Sequence, residues 1–439
     1  MSRSRFRRGR HRALGVVAVT LLALLVPAPA FGAESVASLR DQVRAGTLDS
    51  THGSLKTCDW CMSTLVTASG TDRPLSTDGP VGWGADDLAA ALHLPAQDTG
   101  QDRRGTVAVI TGGAYPSEES DLAAYRARYG LPPCTVASGC LKITDLDGGP
   151  PPEPTDARYD EAGANETSLD VDMASASCPS CRIIDVKIPA EDAIGGPVEQ
   201  IRKAMGDLAH AVDTAIALGA DAVSMSFGFP NDDSPEAQAI GRRLDHPGVA
   251  IVASSGDGGF RAVNRIGWPS NLPWVTAAGG VRLPAEGNGF RLMGWPWAGS
   301  GCDTNQPGAF GAPEAVSALC GGHRATADVS AVSEDIAVYR TYAPYTQQTN
   351  PWNIGGGTSM SAPFIAGLYA RGGHTAGVHG PNTIYSAPSG AFTDITIGSN
   401  YSQQTGEPNC LDDAPALCKA GPGWDGLTGV GLPNGLSGF

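Results

Sequence analysis

Apolar positions along this chain come in two alternating patterns. Short, nearly unbroken apolar runs at 106–110, 182–188, 222–228, 249–254 and 274–278 read as strands buried on both faces. Between them lie stretches with helical spacing, at 117–129, 166–176, 198–218 and 234–244. The first of these carries Glu118, Glu119 and Asp121 in its opening turn, where acids favour a helix N-terminus. Strands alternating with helices in this way predict an α/β fold, a doubly wound parallel sheet with helices on both faces. Residues 145–160 read as a loop rich in Pro, Asp and Gly. Residues 33–80 are polar and weakly patterned, and read as a short N-terminal extension. No repeat and no Pro/Ser linker interrupts 81–439, which reads as one large domain.

Residues 1–32 follow neither pattern. Arg3, Arg5, Arg7, Arg8, Arg10 and Arg12 form a basic start, and an apolar run fills 13–26. That run is shorter than the roughly 18–20 residues a membrane span needs. The Pro27-Ala28-Pro29-Ala30-Phe31-Gly32 string that follows has small residues at Ala30 and Gly32, as a signal peptidase site prefers. We therefore expect a secretory signal at 1–32, an extracellular mature protein, and no membrane association once the signal is cut.

Cysteine usage agrees with export. The ten cysteines fall into close pairs, Cys58/Cys61, Cys134/Cys140, Cys178/Cys181, Cys302/Cys320 and Cys410/Cys418, and neighbours in sequence are expected to bond in an oxidising compartment. Two pairs are C-x-x-C, a spacing also used in redox and zinc sites, but they lie far apart and lack His at ligand spacing.

Charge narrows the partners. The chain has 30 Lys and Arg against 45 Asp and Glu, a net charge of −15. Without the six leader arginines the balance is 24 − 45 = −21. Such a surface repels phosphates and anionic lipid, so nucleic acid is not an expected partner. Charged residues make up 17% and apolar ones 41% of the chain, which excludes a highly charged disordered polymer.

The chemistry concentrates in a few strings. Gly355-Gly356-Gly357-Thr358-Ser359-Met360-Ser361-Ala362-Pro363 runs into an apolar helix. A glycine-rich turn lets a substrate backbone approach a serine at a helix start, where the free amides favour developing negative charge. A plain Ser N-cap after a glycine loop would look similar over a shorter stretch. A nucleophilic serine needs a base, and the expected histidine is missing. His210, His246 and His323 lie between the first strand and Ser359, but none precedes a glycine; His210 reads as a helix residue and the other two as turn residues.

Carboxylates fill the vacancy. Glu166 and Asp170 stand at i and i+4 on one helix face, where two like charges share a proton and one pKa rises. Glu166 is then placed to take the serine proton, with Asp170 polarising it. Asp172 points away from the pair and reads as exposed. A third acid, Asp257, sits in Ala253-Ser254-Ser255-Gly256-Asp257-Gly258-Gly259 at a strand end. Protonated, it could donate to an oxyanion; an Asp-Gly turn is the simpler alternative.

Together these strings resemble the sedolisin family, the serine-carboxyl peptidases. Glu166-x-x-x-Asp170, Ser224-Met225-Ser226-Phe227-Gly228, Gly256-Asp257-Gly258 and Gly357-Thr358-Ser359 occur in the family's order, across about 81–439. The resemblance implies a subtilisin-like fold and hydrolysis of peptide bonds at acid pH. It assigns catalysis to Ser359, Glu166 and Asp170, with Asp257 as oxyanion donor, and substrate binding to Ser224, Ser226, Phe227, Gly228 and Gly357. It also implies one structural calcium ion, held by the side chains of Asp394 and Asp425 and the carbonyls of Ile395, Gly421 and Gly423. Two carboxylates plus carbonyls suit that hard cation. The expected partner is a peptide or protein substrate, and the expected state a monomer. A tripeptidyl-peptidase of the same family and an inactive peptide-binding homologue are the alternatives. Two departures stand out: only 33–80 separates the leader from the core, where the family carries a long prodomain, and Val281 follows Gly279-Gly280 where Thr is usual.

Overall fold

The computed structural model describes residues 34–48, 52–56, 61–96, 105–189, 197–260, 267–400 and 414–439. The leader expected at 1–32 lies outside them. Val36–Phe439 form one compact unit, so the stretch 36–80 folds with the rest rather than apart from it. In chain order it contributes α1 (Val36–Ala45) and the short strands β1 (Ser54–Lys56), β2 (Thr64–Val66) and β3 (Ser76–Thr77).

The centre is an eight-stranded sheet. Its strands are β4 (Thr106–Gly112), β5 (Leu141–Asp145), β6 (Arg182–Ile188), β7 (Ala222–Met225), β8 (Ala250–Ser254), β9 (Thr276–Arg282), β10 (Met293–Gly294) and β11 (Val329–Val332). Six of them run parallel in the order β5-β6-β4-β7-β8-β9. β11 adds a parallel neighbour and β10 an antiparallel one to β9. The helices between strands are α2 (Glu118–Arg128), α3 (Ala157–Ser177), α4 (Val198–Ala217) and α5 (Pro235–Arg242).

The period of two along each strand divides the core. Val107, Val109, Ile183 and Val252 face one side, where they meet Leu169 and Met173 of α3 and Ile365 and Leu368. Ala108, Ile110, Ile184, Val223 and Ile251 face the other, against Leu208 and Val212 of α4. Each fully buried Val, Leu or Ile contributes about 1.5–3 kcal/mol, so both helical layers are anchored by the same strands. This is the doubly wound sheet expected from the sequence.

Element boundaries shift for identifiable reasons. The expected 145–160 loop ends at Asp156, which caps α3 by accepting the Tyr159 N–H at 2.8 Å. Asp160 then spends its carboxylate on the N–H groups of Ala114, Thr155 and Asp156. Those polar first turns hide the helical period, so α3 starts well before 166. The expected strand at 222–228 leaves the main sheet after Met225 and continues as isolated bridges, Cys61 to Phe227 and Phe229 to Trp268.

A second sheet lies beside the first. β12 (Ile336–Tyr339) and β13 (Trp352–Gly356) pair antiparallel, and β2 and β3 pair with β13. β13 leads straight into α6 (Thr358–Gly372). Disulfides join Cys134 to Cys140, Cys178 to Cys181 and Cys302 to Cys320. Cys61 and Cys418 are also disulfide-bonded; their expected partners Cys58 and Cys410 lie outside the described residues. Among the described residues no helix is long and apolar enough to cross a membrane.

Candidate active site

Ser359 is the second residue of α6 and is fully buried. The turn that delivers it depends on Gly357, whose φ of +127° is open to glycine and strained for other residues. A methyl group there would also overlap the Met62 carbonyl oxygen and come within 2.7 Å of Asp257 Oδ2. The Ser359 N–H, unpaired within its own helix at this position, donates to the Met62 carbonyl at 2.8 Å. The Ser359 hydroxyl lies 3.5 Å from the Ser226 carbonyl.

The acid pair comes from α3, which packs against α6. Glu166 and Asp170 are both fully buried. Asp170 Oδ1 accepts from the Ser226 hydroxyl at 2.7 Å, and that hydroxyl also lies 3.4 Å from the Ser359 carbonyl. Burial, and then the Glu166 carboxylate beside it, push Asp170 well above the ordinary range, against the Ser226 bond that favours ionisation. Glu166 Oε2 accepts from the Ser63 hydroxyl. Asp172, expected to be exposed, is buried. It accepts the Tyr339 N–H at 3.1 Å and so ties α3 to β12.

Asp257 reaches the site from the loop after β8. Its Oδ1 accepts both the N–H and the hydroxyl of Thr358, each at 2.8 Å. The Thr358 hydroxyl in turn accepts the Gly256 N–H at 3.1 Å. Oδ2 lies on the side of Gly357, where an added β-carbon would meet both it, at 2.7 Å, and the Met62 carbonyl oxygen that takes the Ser359 N–H. The residue keeps some exposure at the cleft wall, but Oδ2 itself is sealed from solvent and has no hydrogen-bond partner. Burial pushes its pKa up to about 7, against the two Thr358 bonds. At acid pH Oδ2 therefore carries a proton and can donate it.

A strand of the chain itself occupies the cleft. Cys61 bridges Phe227 antiparallel, the Met62 N–H donates to the Ser226 carbonyl at 3.3 Å, and Thr64 and Leu65 pair with Gly356 and Gly355. Ser226 and Phe227 thus present their backbone to an extended peptide, while the Phe227 ring stacks with Phe229 in the core at 6.3 Å. Gly228 leaves room for the Met62 side chain, whose Cε would collide with any β-carbon there. Met62, Gly228, Phe229, Ser255, Gly256 and Asp257 line a cavity of about 560 Å³. Ser224 lies deeper in β7, fully buried, away from the residues lining this cavity.

Of the residues expected to hold calcium, Asp394 and Asp425 both reach the 421–425 turn. Asp394 Oδ2 accepts the Gly423 N–H at 2.9 Å, and Asp425 Oδ2 the Gly421 N–H at 3.3 Å. Asp425 Oδ1 accepts from Leu427 N, Thr428 N and the Thr428 hydroxyl at 3.0–3.1 Å. Asp425 and Ile395 are buried, and Asp394 is exposed. Burial pushes Asp425 to about 7. Among the described residues no group of three or more His, Cys, Asp or Glu stands together to hold a metal ion, so a cation here would need backbone carbonyls beside the two carboxylates.

Comparison with known proteins agrees with this geometry. The profile of the Peptidase_S8 subtilase family matches residues 161–372, from α3 through the nucleophile helix. Kumamolisin of Bacillus sp. (strain MN-32) is 29% identical over 389 residues, covering 80% of this chain and 62% of kumamolisin. Tripeptidyl-peptidase 1 of Bos taurus is 27% identical over 253 residues, covering 50% of this chain and 41% of that protein. A solved structure of Pseudomonas sedolisin, a serine-carboxyl proteinase, superimposes with a TM-score of 0.56 at 20% identity, over 80% of this chain and 95% of sedolisin. By these matches the chain is similar to serine peptidases of the subtilase and sedolisin kind. It spans less than two thirds of the curated relatives it matches.

None of the three histidines between the first strand and Ser359 bonds to it. His210 is on α4 with Asp147 at 3.0 Å, His246 is in a loop, and His323 opens the strand His323–Thr326 rather than a turn. Sequence reasoning missed four residues. Thr358 was in view inside the nucleophile string, but its grip on Asp257 needs the fold. Lys187, buried, contacts Glu118 at 3.1 Å, Asp185 at 2.6 Å and, at 2.9 Å, the hydroxyl of Thr167, the residue after Glu166. Met62 and Ser63 sit in a polar stretch with no periodic signal.

Proposed function

We propose that this chain is a secreted serine-carboxyl endopeptidase working at acid pH. The observation that carries the reading is the Ser359 N–H at a helix start with the sealed Asp257 Oδ2 close by on the other side of Gly357, two groups able to serve one oxyanion. Ser359 Oγ attacks the substrate carbonyl carbon and Glu166 accepts its proton. Asp170, held by Ser226, keeps Glu166 oriented and shares the charge. The carbonyl oxygen, now an oxyanion, takes hydrogen bonds from the Ser359 N–H and from protonated Asp257. Glu166 then returns the proton to the leaving amine, and water repeats the sequence on the acyl-enzyme.

An endopeptidase is favoured over a tripeptidyl-peptidase because described chain lies on both sides of the Met62 position in the cleft. The test is a random peptide library digested at several pH values. Internal cuts confined to acid pH support the reading. Release of N-terminal tripeptides supports the alternative, and no cutting at any pH removes both.

Asp394, Asp425, Ile395, Gly421 and Gly423 would hold one calcium ion, whose chemistry is structural: it neutralises Asp425 and ties the C-terminal turn to the segment after β13 and α6. A ligand binding only the folded state at a hundredfold excess over its Kd adds about 2.7 kcal/mol. Chelator is expected to lower the melting temperature at pH 5 by several degrees. Because Asp425 takes up a proton below about 7 when free, the calcium concentration for half-maximal stabilisation should rise as pH falls. Superimposed melting curves with chelator and with excess calcium remove the site.

A further inference from the structure

We propose that Lys187 is a positioning residue for the acid pair: its buried ammonium supplies the positive charge that keeps Glu166 and Asp170 from taking a second proton. The inference rests on the peptidase reading above and adds to it the group that sets where on the pH scale the base is free. Between Ile183 and Ile188 of β6 two residues are charged, Asp185 and Lys187. The period of two puts both on the face of Ile183, the side on which α3 packs. Both are buried. Lys187 Nζ lies 2.6 Å from Asp185, 3.1 Å from Glu118 at the start of α2 and 2.9 Å from the Thr167 hydroxyl of α3. The Tyr115 ring stands 6.0 Å away. Asp185 is held in turn by the Thr111 hydroxyl of β4 at 2.6 Å.

This places the ammonium inside a row of buried carboxylates. Glu118 acts on Asp185, Asp185 on Asp170, and Asp170 on Glu166, while Lys187 draws both Glu118 and Asp170 down against burial. On the other side of the pair Ser226 bonds Asp170, and Asp257 faces Glu166. Beyond Lys187, Asp145, Asp147, Glu153 and Asp160 border a cavity of about 380 Å³. Asp160 is committed to three backbone N–H groups, and Asp147 and Glu153 are exposed, where water and salt screen them. A buried ion cluster is a poor source of stability, because desolvation offsets the attraction and apolar residues of similar volume serve as well. Beside a base it has another effect. With one proton shared by the pair, Glu166 can take the proton of Ser359; with two, it cannot. The acid limb of the rate profile is therefore the pH at which the pair gains its second proton, and a positive charge nearby holds that point down. In an interior of low effective dielectric one charge at this range moves a carboxylate by about one pH unit.

The test is the pH–rate profile of the full chain on a fluorogenic peptide, with a thermal melt of each variant. Lys187→Met is expected to raise the acid limb by about one pH unit and to leave the alkaline limb, set by Asp257, in place, so the active range narrows from one side. Lys187→Arg keeps the charge and the wild-type limb. Thr167→Val removes a bond without changing charge, and also keeps the limb. Should Lys187→Met fail to fold, Lys187→Gln, which can still bond Thr167, is expected to raise the limb in the same way. A neutral Lys187 variant that lowers rate or melting temperature with both limbs in place shows a merely structural lysine and overturns the inference. So does a limb moved as far by Lys187→Arg or by Thr167→Val. A wild-type chain that cleaves the peptide at no pH overturns the peptidase reading, and this inference with it.

Discussion

Ser359→Ala is expected to abolish hydrolysis of added peptides while the protein melts within a few degrees of wild type. Among the described residues the hydroxyl's hydrogen-bond neighbour is the Ser226 carbonyl at 3.5 Å, so its loss removes a weak bond, roughly 1 kcal/mol. The helix and the Gly357 turn do not depend on it. Catalysis does, because the attacking atom is gone and the acid pair has no proton to accept. In a unit of nucleophile and base, losing one member costs a factor on the order of 10⁶ in kcat. Hydrolysis of a fluorogenic peptide at acid pH reads the loss, and a thermal melt reads the fold. Wild-type turnover in Ser359→Ala would end the serine peptidase reading, and a collapsed melting curve would show that Ser359 is structural.

The second large effect is on pH dependence. Burial holds Asp257 at about 7, so below that value Oδ2 carries the proton the oxyanion needs. Above it the protonated fraction falls tenfold per pH unit, and an ionised carboxylate repels the oxyanion. Activity should therefore fall steeply on the alkaline side. Asp257→Asn separates this cause from others. Asn can keep accepting the two Thr358 bonds through its carbonyl oxygen and place an amide N–H where Oδ2 stands. It should lower the acid-pH rate but carry activity to higher pH, whereas Glu166→Gln loses activity at every pH. A pH–rate profile that is flat, or identical in wild type and Asp257→Asn on its alkaline limb, would refute the donor role.

The sign is the same for stability. Asp170, Asp172 and Glu118 are pushed up by burial, so the folded chain binds protons more tightly than the unfolded one. Their contribution is complete below the unfolded value of about 4 and is lost as pH rises through the folded values.

What could be read from the sequence followed from periodicity and from strings that sit on one element. β4, β6 and β8 are continuous apolar runs, and Glu166 and Asp170 share a face because four residues make about one helical turn. The strong signal at 355–363 belongs to a single turn and helix. What escaped depends on contacts distant in sequence. Asp172 looked exposed because its spacing from Glu166 points it off the acid face, yet a second layer, β12, covers that side as well. The start of α3 was hidden by acids that serve the backbone of neighbouring loops. The segment 61–66 has no apolar alternation of its own; its place is set by pairing with Phe227 and β13, which no local pattern encodes.

The close crossing of α3 and α6 has a mechanical consequence. Gly367 lies two turns beyond Ser359, and a β-carbon there would collide with Ser177 of α3, which also bonds the Met173 and Ala174 carbonyls. The two helices therefore act like the blades of scissors whose rivet is a single missing side chain. The spacing between Ser359 and the acid pair then depends on that rivet, in the interior, so the tolerance of the proposed catalytic group rests on steric fit away from the cleft. Variation in the cleft can retune what is cut without disturbing the blades, whereas one methyl group at the rivet would spread them.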